Sequence, residues 1–317
     1  MTTGGRRSAV PLTTALLRQW PLPAPDADGD KESRGRVLVV GGAVRLPGAV
    51  VLAATAALRA GAGKLQIATC RSIATAVGVA VPEALVVSLP ETREGGIAPS
   101  GASRLSEQLA CTAALLVGPG LVGERAVAGL VTGLLRQVRD ATVVVDAAAL
   151  SPLGADHSLL RDLRGRAVLT PHTGEMAGLL DVEEDVVERD AEAVARRAAA
   201  DLRAVVALKG AVTYVAAPDG RLWVYDGGDV GLATSGSGDT LAGIIAGLAA
   251  RGAEPAQAAV WGVYPHGAAG NVLSRRMGGI GFLAREVLDE VPPLMAALAK
   301  ARGTRGRRSA GRPRRAS

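Results

Sequence analysis

Aromatic side chains are scarce: 317 residues hold three Trp, three Tyr and one Phe. A core without them has to be built from Val, Leu, Ile and Ala, and 41 glycines favour layers that approach closely, as helices packed on a sheet do. Cysteine is equally sparse. Cys70 and Cys111 stand apart with no Cys-x-x-Cys spacing, which speaks against a structural zinc and for a reducing compartment. Both read as small core residues. Long apolar runs are missing too, since Arg59, Arg251 and Glu254-Pro255 break the hydrophobic stretches before they reach the roughly 20 residues a membrane helix needs. Arg6-Arg7 followed by Ser8-Ala9-Val10 has the outline of a twin-arginine signal, but Pro11, Thr13 and Thr14 interrupt its apolar segment and Arg18 ends it. A cytoplasmic chain is expected.

No acidic residue follows Glu290. The formal charge is +6, yet eight Lys and Arg side chains between Lys300 and Arg315 have no acid beside them, so the rest of the chain is slightly acidic. A stretch of Arg, Gly, Ser and Pro cannot bury apolar surface; residues 300–317 are expected to be a basic disordered extension and not a nucleic-acid arm. Residues 1–30 read as a lead-in, partly disordered, in which the amphipathic segment Leu12 to Trp20 leaves room for one helix before the Pro/Asp/Gly stretch Pro21 to Asp30. One domain is then expected over residues 31–299.

Within that span the pattern is regular. Val37 to Val40 is a short run rich in β-branched residues, ended by Gly41-Gly42 and followed by Pro47-Gly48-Ala49 opening an Ala/Leu helix to Ala60. Gly61-Ala62-Gly63 stops that helix and Leu65 to Ala68 begins the next strand. Further strands are expected at 84–88, 115–117, 143–145, 168–169 and 205–208, with helices near 71–78, 103–110, 124–138, 156–163 and 186–201. Alternation of this kind predicts a mostly parallel sheet covered on both faces. Val212 to Ala216 and Leu222 to Tyr225, joined through Ala217-Pro218-Asp219-Gly220, read as an antiparallel hairpin at one edge. After it the chain reads as helical, over 239–250, 255–275 and 283–299.

In open parallel sheets ligands sit at the carboxyl ends of strands. Those ends here are Gly41-Gly42, Gly118-Pro119-Gly120, Asp146, Thr170 to Glu175, and Lys209-Gly210. The loop Thr234-Ser235-Gly236-Ser237-Gly238-Asp239-Thr240 completes the set, and the apolar run behind it reads as a buried helix. Its N–H groups would converge at a helix N-terminus, which is an anion site. Asp239 would repel the very phosphate those amides attract, so its fitting role is to take a proton from a hydroxyl beside that phosphate. A glycine-rich turn with Asp239 as a plain helix cap stays open on this stretch alone.

Taken together these residues resemble the ribokinase-like superfamily and, within it, the ADP- or ATP-dependent NAD(P)H-hydrate dehydratases. The resemblance runs from about Lys31 to about Pro293 and is carried by residues 35–42, 47–49, 57–63, 118–121, 146–150, 169–176, 208–211, 233–239 and 263–270. Where the family often has Asp-Ala-Asp this chain has Asp146-Ala147-Ala148, and where it has His-Pro-Gly-Glu this chain has His172-Thr173-Gly174-Glu175. The resemblance implies a three-layer α/β/α sandwich and a repair reaction. Hydration of the nicotinamide ring of NADH or NADPH places a hydroxyl at C6; a nucleotide phosphorylates it, and phosphate then leaves where hydroxide could not.

By the same resemblance Asp239 is the general base, and the amides of Gly236, Ser237 and Gly238 form the anion hole. Lys209, Gly210, Ala211, Val212, Thr213 and Gly238 hold the nucleotide, while Ala49, Gly120, His172 and Asp239 contact the hydrated dinucleotide. Asp146 and Glu175 orient magnesium through water. Taken singly, Lys209 also fits a solvated strand-end residue, His172 a helix cap, His266 a satisfied core histidine and His157 a surface loop residue. Implied co-substrates are NADHX or NADPHX with ADP, or ATP in its place. A separate NAD(P)HX epimerase is the implied functional partner, since the roughly 35 residues before the first strand are too few for a second domain. A homotetramer is implied as well. The alternatives are a kinase of the same fold acting on a vitamin precursor or sugar, and a non-enzymatic binder using the basic tail.

Overall fold

The computed structural model describes residues 8–24 and 31–300. Ten strands form one sheet: β1 (Val10–Pro11), β2 (Arg36–Val40), β3 (Lys64–Cys70), β4 (Ala84–Leu89), β5 (Ala114–Val117), β6 (Thr142–Val145), β7 (Ala167–Leu169), β8 (Val205–Leu208), β9 (Thr213–Ala216) and β10 (Leu222–Tyr225). Their order is β1-β10-β9-β8-β7-β6-β5-β2-β3-β4. Strands β2 to β8 are all parallel, and β9 runs antiparallel to both β8 and β10. Every residue of β5, β6, β7 and β8 is buried, which is why these strands read as unbroken apolar runs instead of alternating ones.

Thirteen α-helices are described: α1 (Thr14–Gln19), α2 (Pro47–Arg59), α3 (Arg71–Ala80), α4 (Ser106–Ala110), α5 (Glu124–Leu135), α6 (Ser151–Ala155), α7 (Ser158–Arg161), α8 (Thr173–Leu180), α9 (Glu184–Arg189), α10 (Ala191–Leu202), α11 (Ser237–Ala250), α12 (Pro255–Met277) and α13 (Ala284–Lys300). From β2 the chain steps outward through α2 to β3, but from β5 it steps the other way through α5 to β6. Right-handed crossovers then place α2 and α3 on one face and α5 to α10 on the other. The reversal between β2 and β5 makes their carboxyl ends the switch point where a crevice opens.

Helices α2 and α11 pack against each other, and α11 also lies on β5 and β6. Their approach depends on absent side chains, since a Cβ on Gly243 would overlap the carbonyl oxygen of Ala53 and one on Gly247 that of Ala57. Gly and Ala thus do in this core what interlocking aromatics do elsewhere. Each Val or Leu buried in the sheet contributes about 1.5–3 kcal/mol relative to exposure.

The structure departs from the sequence pattern in five places. The expected edge hairpin is not the edge: β1, from the lead-in, pairs in parallel with β10 through Val10–Trp223 and Pro11–Val224. Segment 186–201 is two helices, because Asp190 ends α9 and caps α10 by accepting from the Ala193 N–H (3.2 Å). Pro99 starts a 3-10 helix through Leu105 ahead of the short α4, and the region 156–163 is similarly broken into short turns. Cys111 is exposed while Cys70 is buried, for Cys111 ends α4 with its thiol turned to the carbonyls of Glu107 and Gln108 and to the Arg36 guanidinium. The expected basic tail from Ala301 onward, Arg6-Arg7 and Asp30 lie outside the described residues. Among the described residues no helix is long and apolar enough to cross a membrane.

Candidate active site

At the switch point the Gly42 N–H donates to the Pro119 carbonyl (2.7 Å), tying the end of β2 to the loop after β5. Gly118, at φ +135°, lies against the Asp146 carbonyl so closely that no Cβ would fit. Gly120 has φ +68°, and a Cβ there would come within 2.9 Å of the Ala49 methyl. Ala49 and Gly120, far apart in sequence, therefore share one wall of the crevice.

The ends of β6, β7 and β8 bring three charges together. Asp146 is 2% exposed, and its Oδ1 accepts from the Thr170 hydroxyl (2.6 Å) and from Lys209 Nζ (3.0 Å). Glu175 Oε2 lies 3.7 Å from the same ammonium. Lys209 is not a solvated strand-end residue, for its side chain is only 20% exposed. Burial pulls its pKa down, but Asp146 and Glu175 raise it more, and the net direction is upward. Ala147, directly after Asp146, holds a left-handed backbone at φ +50°, a conformation that costs a residue with a Cβ about 1–3 kcal/mol and gathers at functional sites.

His172 caps α8. Its Nδ1 accepts from the N–H groups of Gly174 (3.1 Å) and Glu175 (3.3 Å), while Glu175 Oε2 accepts from the His172 N–H (2.9 Å). This reciprocal box satisfies amides that helix geometry leaves without partners. With Nδ1 accepting, a neutral ring carries its proton on Nε2, and the side chain is 57% exposed. Nε2 lies 3.6 Å from Glu175 Oε1, so the cap and a donor on the half-exposed ring are compatible in one residue. Lys209 sits beside it, its N–H donating to Pro171 O (2.8 Å). Gly210, Ala211 and Val212 form the exposed turn that follows, and Thr213 opens β9.

The glycine-rich loop comes to the same place. Lys209 Nζ is 3.3 Å from where a Cβ would stand on Gly238. Gly236 caps α11 at φ +89°, and Ser237, Gly238 and Asp239 are its first turn. The Thr240 N–H donates to Gly236 O (3.0 Å) as the first helical bond. Of the three amides assigned to the anion hole, that of Ser237 already donates to Thr234 O (3.2 Å). The amides of Gly236 and Gly238 remain for an anion, with that of Asp239 in the same turn. Burial raises the Asp239 pKa, as do Asp146 and Glu175, against the opposing pull of Lys209, and the result is about 6.

Two residues noted in the sequence have partners that it did not reveal. Thr170, one of the strand-end residues, fixes Asp146, and a polar residue ending an apolar strand was its only signal. His266, on α12, is buried with Nε2 at 3.1 Å from both Oγ and O of Ser237, which accords with a satisfied core histidine but places it beneath the glycine-rich loop. His157 precedes α7 and is partly exposed. Among the described residues no group of three His, Cys, Asp or Glu side chains could hold a metal directly; Asp146 and Glu175 converge on Lys209.

A family model described as NAD(P)H-hydrate dehydratase matches residues 37–293. The chain is 51% identical over 294 residues to the ADP-dependent (S)-NAD(P)H-hydrate dehydratase of Xanthomonas campestris pv. campestris, covering 92% of this chain and 98% of that one. Among solved structures it superposes on a ribokinase-like superfamily protein from Enterococcus faecalis with a TM-score of 0.80 at 25% identity, over 92% of this chain and 96% of that one. It also superposes on the ADP/ATP-dependent NAD(P)H-hydrate dehydratase from Bacillus subtilis, co-crystallized with ATP/Mg2+, with a TM-score of 0.75 at 29% identity, over 92% and 99% of the two chains. Sequence and fold agree with the order of the strand-end residues, and the chain belongs to the NAD(P)H-hydrate dehydratase family.

Proposed function

We propose that this protein is an ADP-dependent (S)-NAD(P)H-hydrate dehydratase, a hydro-lyase of nicotinamide nucleotide repair. The supporting observation is the placing of Asp239: a carboxyl group that releases its proton at about 6 stands in the first turn of α11, beside free amides and the Lys209 ammonium. Above that pH it is a base poised near neutrality, the condition under which proton transfer is most effective.

Asp239 takes the proton of the C6 hydroxyl as that oxygen attacks the terminal phosphorus of ADP, and AMP departs. The amides of Gly236 and Gly238 hold the transferring phosphoryl oxygens as charge spreads over them. Lys209, fixed by Asp146, keeps a positive charge at the same point and holds the nucleotide with residues 210–213. Ala49, Gly120 and the half-exposed ring of His172 position the hydrated dinucleotide. The C6–O bond then breaks as phosphate leaves with its electron pair, a proton is lost from C5 to solvent, and the nicotinamide ring regains its C5–C6 double bond as NADH or NADPH. Asp146 and Glu175 are hard oxygen donors beside the phosphate loop, which suits magnesium that keeps part of its water shell; bound there, it would screen the nucleotide's negative charge. The R epimer would need an epimerase as functional partner, and by resemblance the chain works as a homotetramer in the cytoplasm.

Incubating the pure protein with hydrated NADH and ADP tests this. Recovery of the absorbance of reduced nicotinamide, with AMP and phosphate released in equal amounts, is the expected result. A phosphoester that accumulates without that recovery would instead identify a kinase of the same fold.

A further inference from the structure

His266 is a buried ionisable side chain that the mechanism above does not use, although it lies directly under the phosphate loop. It follows Pro265 in α12, the helix packed beside α11. Burial pushes its pKa down to about 4, so the ring is neutral and has one N–H to give. Nε2 stands 3.1 Å from both the carbonyl oxygen and the hydroxyl of Ser237; a carbonyl oxygen can only accept, so with the proton on Nε2 the ring donates to Ser237 O.

Ser237 is held at each of its polar atoms. Its N–H donates to Thr234 O at 3.2 Å, its carbonyl also accepts from the Thr240 hydroxyl at 2.7 Å, and its hydroxyl meets His266. Its neighbours Gly236 and Gly238 have no side chains by which to be held. Both local bonds to Ser237 come from within the loop and its own helix, and among the described residues the bond from His266 is the one that reaches it from another element. We infer that His266 is a positioning residue: from α12 it clamps Ser237, so that the flanking amides of Gly236 and Gly238 keep the spacing that receives the terminal phosphoryl group of the nucleotide. A neutral donor suits this task, since it fixes the loop without placing a second cation under the anion that Lys209 already attends. The inference rests on the function proposed above for the identity of the anion, but not for the clamp itself.

The test uses the full chain with His266→Leu, which fills the volume without a donor, and His266→Gln, whose amide N–H reaches the same carbonyl. In the leucine variant kcat should fall about 10²-fold, the order of effect expected of a displaced reacting group. Affinity for AMP, which lacks the transferred phosphate, should stay within about twofold of the native value, and the glutamine variant should recover kcat to within about fivefold. Hydrogen exchange of the ligand-free protein supplies a readout that needs no turnover: the amides of Ser237 and Thr240, which are hydrogen-bonded to Thr234 O and Gly236 O, should exchange faster in the leucine variant while the rest of α11 is unchanged. A leucine variant with native kcat and native exchange overturns the clamp. So does one that loses AMP binding, kcat and protection throughout α11 together, which is the mark of a merely structural histidine. An insoluble leucine variant leaves the glutamine one to decide: folded and active supports the clamp, and impaired more than tenfold or unfolded overturns it. Absence of dehydratase activity in the native protein would refute the proposed function, and the exchange measurement would still judge His266.

Discussion

At Asp239 burial, with Asp146 and Glu175 nearby, makes ionisation costly, and Lys209 only partly offsets this, so the group titrates at about 6 in place of 3.8. The first consequence is kinetic: kcat/KM should rise with pH as a single ionisation through about 6 and level off above it, and Asp239→Asn should lower turnover by about 10²–10⁴-fold while nucleotide binding survives. The second concerns stability and has a definite sign. A carboxyl group whose folded pKa is raised binds its proton more tightly when folded, so ionisation costs nothing below about pH 4, a growing amount up to about pH 6, and its full value above. The difference in pKa corresponds to about 3 kcal/mol as an upper bound. Urea unfolding should therefore show Asp239→Asn to be about 1–3 kcal/mol more stable than the native chain at about pH 8, with the gap closing as pH approaches about 4.5. Equal stability at both pH values would mean the carboxylate is comfortable where it sits. Lys209 has the opposite sign: Lys209→Met leaves Asp146 buried without its cation and should cost about 3 kcal/mol in the same measurement. Losing that charge should also move the acidic limb of the Asp239 rate profile upward.

Among the elements, glycine has two opposite uses that substitution can separate. A Cβ on Gly243 of α11 would overlap the Ala53 carbonyl in α2, whereas one on Gly178 of α8 meets nothing within 4 Å. Gly178→Ala should stabilise the protein by up to about 1 kcal/mol through helix propensity alone, while Gly243→Ala should destabilise it by about 1–3 kcal/mol because the two helices must part; thermal unfolding of both variants checks the pair. The same locality explains how far the sequence could be read. Strands β2 and β5 to β8 were legible because each is a short apolar run closed by Gly, Asp, Thr or Lys, and those closing residues marked the crevice. Pairing between distant groups left no local trace: that Asp146 and Lys209 would bind each other, that the Ser237 amide would be consumed by Thr234, and that His266 would lie under the loop are tertiary facts. Helix breaks at Asp190 and Pro99 were written in residues whose capping or ring geometry only the fold selects. Cys111 was misread because an exposed helix end overrode the usual preference of a free cysteine for the interior.

Viewed whole, the sheet carries its chemistry at one set of strand ends and its weakest point at a lateral edge. Strand β10 would be that edge, and strand edges invite pairing with other chains. The lead-in covers it. Val10 and Pro11 form a two-residue strand along β10, and Trp20 stacks on Trp223 with ring centroids 5.4 Å apart. The Arg221 guanidinium lies over both rings, at 5.7 and 5.2 Å, and the Trp261 indole N–H (2.8 Å) and the Gln257 amide (3.3 Å) donate to the Trp20 carbonyl. Three of the few aromatic residues thus join the seventeen described lead-in residues, 8–24, to the core, in which Trp223 and Trp261 are themselves buried. Stacked aromatic pairs add about 0.5–1.5 kcal/mol beyond the area they bury, so Trp20→Ala should lower stability by about 1–3 kcal/mol. Removing residues 1–24 should go further, exposing Trp223 and the free side of β10 and promoting concentration-dependent association. Catalysis should follow a different course: the lead-in meets α11 at its far end, where Arg251 donates to the Pro23 carbonyl (3.5 Å), and Asp239 stands in its first turn, so kcat of the folded, monodisperse fraction should remain within about twofold of native. Light scattering, thermal unfolding and turnover measured on the same truncated preparation separate these effects. A truncated chain that keeps native stability and stays dispersed would show that the strap is not a cover for the edge, and one that is stable but inactive would tie the lead-in to the site itself.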